Sequence, residues 1–314
     1  MIDWIKLETI HPNPEELLDR FDFIRPVNIY TADIKSRFDV AVDKGLKITL
    51  YTSGRLHITG SLHKFWKGNN YTNFSYAELT DSIRCLCEKF GVSVENWKVL
   101  KMEYGVNIET DFAPKEFLER LICLKYQPLD RIKSKIKKFG FEHYFTDWGI
   151  KLYDKSELCK LPFNLLRIEK KVTKSRALNK LKIYNLSDLT LTNLTTLGQD
   201  LLDTLNQILV DDKSIDLKEL KTRQKIALAN YRNPKYWPMQ SRHAAPKAIE
   251  RFKLLMRKYG NEKYYEEVIN SVQIKWKNLC KNNKVIIREL DSNLIQISQN
   301  YNLRATTFAN TLIT

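Results

Sequence analysis

The sequence is poor in the features that mark membrane, secreted and zinc-bound proteins. No stretch of about 18 uncharged apolar residues occurs, which argues against a membrane-spanning helix. The opening MIDWIKLETI carries Asp3, Lys6 and Glu8 and lacks the charged-then-apolar layout of a secretory signal. The five cysteines, Cys85, Cys87, Cys123, Cys159 and Cys280, are odd in number and scattered. That usage fits reduced thiols in a cytoplasm rather than a disulfide framework. No pair has CxxC spacing, which argues against a zinc ribbon as well. Glycine (10) and proline (9) are scarce in 314 residues, and no repeat or low-complexity linker interrupts the chain.

A packed core is within reach, with 43% hydrophobic and 11% aromatic residues. The formal charge is +15, from 52 basic against 37 acidic residues. Such a surplus suits a polyanionic partner, and the accompanying aromatics suit stacking on unpaired bases. An ordinary basic protein is the alternative at this point.

Hydrophobic periodicity gives an order of elements. MIDWIKLE reads as a strand. RFDVAVD, LKITLYT and RLHITGS follow as an antiparallel meander, with Lys44-Gly45 and Ser53-Gly54 as turns. Ser75 to Phe90 predicts a helix with a Ser75/Glu78 capping box, an apolar stripe of Leu79, Ile83, Leu86 and Phe90, and Gly91 at its end. A strand WKVLKMEYGVNIE comes next, then a short helix opened by Pro114 and holding Phe117, Leu118 and Leu121. Strands are predicted at DWGIKLYD and FNLLRIEKKV. From about Ser187 the pattern turns helical, with Leu189, Leu194, Leu197, Leu201, Leu205 and Leu209 recurring at helical intervals and further helices over 217–231, 245–259 and 266–282. The fold class expected is α+β: a mostly antiparallel sheet with helices on one face over residues 1–185, then a helical region, 186–314.

Strand alternation separates the faces. His57 opposes Leu56 and Ile58. Lys101, Glu103, Gly105 and Asn107 oppose Leu100, Met102, Tyr104, Val106 and Ile108. Lys151, Tyr153 and Lys155 share a side opposite Trp148, Ile150 and Leu152, and Arg167, Glu169 and Lys171 oppose Leu166, Ile168 and Val172. In one sheet these polar sides would form a surface able to receive a DNA strand. Tyr153 would attack a backbone phosphorus, a tyrosyl phosphodiester would preserve bond energy for rejoining, and Lys151 and Lys155 would lower the tyrosine's pKa. Each residue also has an ordinary reading: a packing tyrosine, glutamates paired with lysine, hydrogen-bonded histidines and solvated cations.

The segment GSLHKFWKGNNYTNF, residues 60–74, with the capped helix after it, resembles a segment of filamentous-phage replication initiators of the gene II protein family. LKMEYGVNIE is similar to that family's Arg-Ile-Asp strand, with Lys101-Met102-Glu103 in its place. IKLYDKSEL resembles the strand bearing the nicking tyrosine, and LLRIEKKVTKSRAL the apolar-Arg-Phe-Glu strand and its basic continuation. The four blocks stand in the family's order over roughly residues 45–180, and MIDWIKL is similar as well.

The resemblance implies a diverged member of the His-hydrophobic-His (HUH) endonuclease superfamily, a metal-dependent tyrosine DNA endonuclease and strand transferase in rolling-circle replication of a small phage or plasmid. Tyr153 would be the nucleophile, with Lys151 and Lys155 beside it. Mg²⁺ or Mn²⁺ would be held by His63, Glu103 and His57. DNA would be contacted by Asn70, Lys64, Arg167, Glu169 and Lys171. Single-stranded and origin DNA, and a host helicase and polymerase, would be the partners, in the bacterial host's cytoplasm and with no membrane. No literal His-x-His is present, and Gly68-Asn69-Asn70 stands where the family has Gly-His-Asn, so His63 or His57 would replace that imidazole. Two alternatives are a non-catalytic DNA-binding protein on the same scaffold and a relaxase or transposase with the same tyrosine chemistry. The C-terminal helices carry Lys221, Arg223, Lys225, Arg242, Lys247, Arg251, Arg257 and Lys258, suited to origin duplex recognition or to a helical cap on the sheet.

Overall fold

A computed structural model describes residues 1–26, 37–132 and 139–281. The chain opens with strand β1 (Ile2–Ile10) and a short helix, α1 (Glu15–Arg20). The meander β2 (Phe38–Asp43), β3 (Leu46–Tyr51) and β4 (Arg55–Ser61) follows, then helices α2 (Leu62–Lys67) and α3 (Tyr76–Phe90). Next come β5 (Lys98–Glu109), α4 (Pro114–Leu118), β6 (Leu121–Leu124), β7 (Gln127–Pro128), β8 (Asp130–Arg131), β9 (Gly140–Tyr144) and β10 (Trp148–Asp154). The remainder is α5 (Lys155–Cys159), β11 (Leu165–Val172), α6 (Ser175–Lys180), α7 (Leu191–Leu205), β12 (Ile208–Val210), α8 (Thr222–Arg232), α9 (Ala244–Tyr259) and α10 (Tyr264–Cys280).

Nine of the described strands form one sheet in the order β2-β3-β4-β1-β5-β11-β10-β9-β8, and neighbours pair antiparallel. This is the expected α+β arrangement. The turn between β2 and β3 has Lys44 and Gly45 at positive φ, and Gly45 meets that demand without steric cost. The helix α3 starts with the predicted capping box, in which Glu78 N–H donates to Ser75 Oγ and Ser75 N–H donates to Glu78 Oε2 at 2.8 Å. It ends at left-handed Gly91.

One face of the sheet is apolar. Ile5, Leu7, Ile58, Met102, Val106, Ile150, Leu152 and Ile168 are buried there, in one core with the apolar stripes of α3, α7 and α10. That core crosses residue 185 freely: Trp276 of α10 packs edge-on to Tyr104 and donates from its indole to Leu194 O at 2.9 Å. Gly198 makes this possible, because a Cβ there would collide with the Trp276 ring. Lys170 reaches the same side, where it pairs with Asp200 at 2.6 Å and donates to Thr204 at 2.9 Å. A second core joins Ile122, Cys123 and Leu209 to Leu228, Tyr231, Trp237 and Phe252 around α8 and α9.

Several expectations from periodicity are corrected. Leu121 begins β6 instead of extending α4, and Leu209 lies in β12, which pairs with β6. Both are leucines whose short apolar runs satisfy a strand as well as a helix, and only the pairing partner decides. Leu100 is not on the buried face: a register shift between Lys6 and Leu7 of β1 gives Val99 the core position. Lys155 is the first residue of α5, capped by Asp154, and not a continuation of β10. Asn282, expected to close α10, lies outside the described residues.

Candidate active site

The polar side of the central strands is assembled by register. Asn107, Arg167, Tyr153 and Gly140 lie in one row across β5, β11, β10 and β9, and Gly105, Glu169, Lys151 and Glu142 form the next. Glu103 faces Lys171 one row further. Paired residues share a face, so Arg167, Glu169, Lys151 and Tyr153 are neighbours without any loop having to deliver them. At Gly105 a Cβ would collide with Ile168 O and Glu169, so the glycine allows β11 its close approach.

The sheet also brings in a residue that alternation does not. Ile2 faces Tyr104 while Ile5 faces Met102, so β1 carries an extra residue over that interval. The shift turns both Asp3 and Trp4 toward the polar side. Trp4 sits beneath the Lys171 ammonium, 4.9 Å from ring centroid to nitrogen. Asp3 enters the interior of the network.

Arg167 is the centre of that network. Its guanidinium donates to Asp3 Oδ2, Asn107 Oδ1 and Glu169 Oε2, each at 3.0 Å, and the residue is 2% exposed. Burial opposes its charge, but Asp3 and Glu169 outweigh it and hold the guanidinium above its ordinary value. Asp3 also accepts from Ser61 Oγ and from Asn70 Nδ2, the latter at 2.9 Å. Burial raises Asp3, while Arg167 and these donors lower it more, so it stays ionised. Asn70 is held further by Lys155, whose ammonium donates to Asn70 Oδ1 at 2.8 Å, and Asn107 ties down the same loop through Asn70 O and Tyr71 O at 3.1 Å.

Tyr153 lies against this network. Its hydroxyl donates to Glu169 Oε2 at 3.5 Å, and the residue is 9% exposed. Burial first, and Glu169 second, push the phenol upward, so it is protonated at neutral pH. This corrects the expected lowering by its two lysines. Lys151 is drawn to Glu169 at 3.8 Å and is raised by Glu169 and Glu103 against the effect of burial. Lys155 lies 5.8 Å from the Tyr153 ring centroid, and burial followed by Arg167 lowers it. A lysine so lowered is a better proton donor than an exposed one.

The three side chains expected to ligate a metal are not assembled. His57 is engaged by Glu8 at 2.7 Å on the β4–β1 pair. His63 stacks on Phe74 at 4.8 Å, with Nε2 3.4 Å from Thr72 Oγ1, and burial pushes it down to about 3. Glu103 is paired with Lys171 at 2.5 Å. Asp3 and Glu169, the carboxylates nearest each other, have the Arg167 guanidinium between them. Among the described residues no group of three or more His, Cys, Asp or Glu is placed to hold a metal ion. The donor set does not fit the implied Mg²⁺ or Mn²⁺ as these residues are paired.

The residues expected to touch DNA divide. Lys64 is exposed on α2 beside the exposed Trp66. Lys171 is half-buried and Asn70 is part of the network's rim. Arg167 and Glu169 are interior, with the Arg167 donors spent on the protein, so they frame the site and do not present a surface to DNA. Asp3, Ser61 and Asn107 were missed as site residues. Asp3 left a signal, a lone carboxylate between Ile2 and the strand's apolar positions, but its facing depended on the register shift.

No family model matches the sequence, and no curated protein matches it. Among solved structures, the rolling circle replication initiator protein from Geobacillus stearothermophilus is similar at a TM-score of 0.44 and 9% identity, over 87% of this chain and 96% of that one.

Proposed function

We propose that the chain is a rolling-circle replication initiator that cuts and rejoins single-stranded origin DNA through Tyr153. One observation carries the reading: the Tyr153 hydroxyl points at a carboxylate, Glu169, on a sheet face where Lys151, Lys155 and Lys171 supply positive charge. A phenol held protonated needs a base to become a nucleophile, and Glu169 Oε2, 3.5 Å from the hydroxyl, would take its proton. Arg167 acts as a positioning residue that fixes Glu169 and Asp3.

The incoming phosphate displaces Asn70 from the Lys155 ammonium. Tyr153 Oη then forms a bond to phosphorus as its proton passes to Glu169. The bond from phosphorus to the 3′-oxygen breaks, and Lys155 protonates that oxygen. The products are a 5′-phosphotyrosine and a free 3′-hydroxyl. The hydroxyl primes a host polymerase after a host helicase opens the duplex, and its later attack on the tyrosyl phosphodiester recloses the strand. The same two protons travel in reverse.

A library of single-stranded origin sequences, incubated with the protein in parallel with and without Mn²⁺, tests this. Mass spectrometry is expected to find a nucleotide adduct on the peptide containing Tyr153, and Tyr153→Phe is expected to abolish it. A second reading is favoured by the near-complete burial of Tyr153: a DNA-binding protein that does not cleave. Binding without any adduct, in the wild type, selects that reading.

A further inference from the structure

Two aromatic rings lie open at opposite borders of the Tyr153 face. Tyr144, 42% exposed, is the last residue of β9 and pairs with Gly149 of β10, which shares its side of the strand with Lys151 and Tyr153. The ring lies across Gly149, where a Cβ would collide with it, so the glycine makes the seat. The Lys151 ammonium donates to the Tyr144 hydroxyl from the row between Tyr144 and Tyr153. Tyr71, 37% exposed, follows Asn70 in the loop that borders the site on the β5 side. Its backbone is fixed twice: the N–H donates to Asn69 Oδ1 at 3.2 Å, and the carbonyl accepts from Asn107 Nδ2 at 3.1 Å. The ring therefore stands on a loop that is already ordered, which spares binding that cost.

The groups alternate across the face. Tyr71 adjoins Asn70, whose amide holds the Lys155 ammonium; Lys155 lies by the Tyr153 ring; Lys151 follows in the next row and Tyr144 in the one after. The order is ring, ammonium, tyrosine, ammonium, ring. An unpaired strand offers the matching alternation of bases and phosphates. Gly149 precedes Tyr153 by four residues, so the Tyr144 seat is about 14 Å from Tyr153 along the strand, with Lys151 between to meet a phosphate. Glu142 flanks Lys151 on β9 and repels phosphates from that strand, which leaves the Tyr144 end to an uncharged base.

We propose that Tyr71 and Tyr144 are stacking platforms for two unpaired bases, one on each side of the scissile phosphodiester, and that together they set the register of the strand over Tyr153. This rests on the reading of the face as a single-strand site. Stacking needs an open ring and tolerates any base, whereas a duplex keeps its bases stacked on one another and presents no base face to either tyrosine. Burial pushes the Tyr144 phenol up in spite of Lys151, which fits a platform and not a second nucleophile.

The test uses the full chain carrying Tyr153→Phe, so that no covalent adduct contributes to binding. The probe is a fluorescently labelled single strand from the origin library, chosen by adduct formation with the wild type or, if no adduct forms, by affinity. It is compared with copies in which one base at a time is removed to leave an abasic site. Anisotropy is expected to show a loss of about tenfold at two positions a few nucleotides apart, and little elsewhere. Tyr71→Leu and Tyr144→Leu are each expected to weaken binding of the intact strand by about the same factor, and each to cancel the abasic loss at one of the two positions. Tyr71→Phe and Tyr144→Phe, which keep the ring, are expected to stay within about twofold. An abasic scan without two such positions overturns the proposal with no substitution made at either ring. So do Leu variants whose losses add to every abasic loss, or Phe variants that lose as much as Leu, which would make the hydroxyl the active group. Coupled losses without an adduct would keep the platforms and remove the cutting; an adduct without coupled losses would do the reverse.

Discussion

On the sheet's polar face the cations are matched by acids: Arg167 with Asp3 and Glu169, Lys171 with Glu103, Lys151 with Glu169. On α8 and α9, among the described residues and Arg232 apart, they stand exposed and unmatched by an acid. The difference separates two uses of positive charge. In the sheet, the Arg167 charge is buried and has to be paired to exist at all, so it holds side chains in fixed geometry around Tyr153. On the helices, charge is solvated, costs little and is available to an outside polyanion. Net charge alone would have joined the two regions under one explanation.

The comparison is broken most sharply by Glu169→Gln. Loss of the base is expected to slow adduct formation by about 10²–10⁴-fold, while affinity for DNA is unchanged. Parallel single-turnover and anisotropy measurements check this, and a joint loss of both would unite the two regions. Next in size is Arg167→Ala, which leaves Asp3 and Glu169 facing each other in the interior. Thermal or urea unfolding is expected to show a loss of about 3–5 kcal/mol. Lys247→Ala, Arg251→Ala and Lys258→Ala combined, at exposed positions of α9, are expected to stay within about 0.5 kcal/mol per residue.

The pH dependence comes from the sheet region as well. His63 is held down to about 3, against an ordinary value of 6.5. The unfolded imidazole takes a proton below its ordinary value and the folded one does not, so stability is fully present above it and falls as pH drops toward the folded value. The loss between pH 7 and pH 5 is expected to be about 2 kcal/mol. His63→Phe is expected to flatten that slope in melting curves at the two pH values. Asp3, also held low, adds a further loss at more acid pH, where the unfolded carboxyl takes up a proton and the folded one does not. The smallest effect belongs to His57→Ala: with this ring spent on Glu8, adduct formation is expected to change less than about twofold. A large loss would return His57 to the chemistry.

Much of this was legible before any coordinates. The capping box of Ser75 and Glu78 is a contact over three residues, and the β2–β3 hairpin is a turn signal between two alternating runs, so both are local and both formed as read. The polar faces of β10 and β11 were legible for the same reason, since alternation needs no partner. What those side chains do to one another was not. Lys151 and Lys155 were expected to stabilise a phenolate, yet burial and the Glu169 carboxylate dominate the Tyr153 hydroxyl. Nor were the partners of the expected metal set legible: His57 meets Glu8, His63 lies by Thr72 and Glu103 pairs with Lys171.

The sequence by itself determined the order of elements, the side of each strand that carries ionisable groups and the size of the charge surplus, because these follow from short-range periodicity and counting. Tertiary structure decided that one extra residue in β1 turns Asp3 inward to Arg167, that Arg167 is a frame and not a contact, and that the surplus charge stands apart on α8 and α9. Strand neighbours and register are set by pairing between residues tens of positions apart, and the contact of Asp3 with Arg167 forms across the intervening strand β5. No local pattern encodes which of two opposite charges will be nearest once water has been excluded from between them.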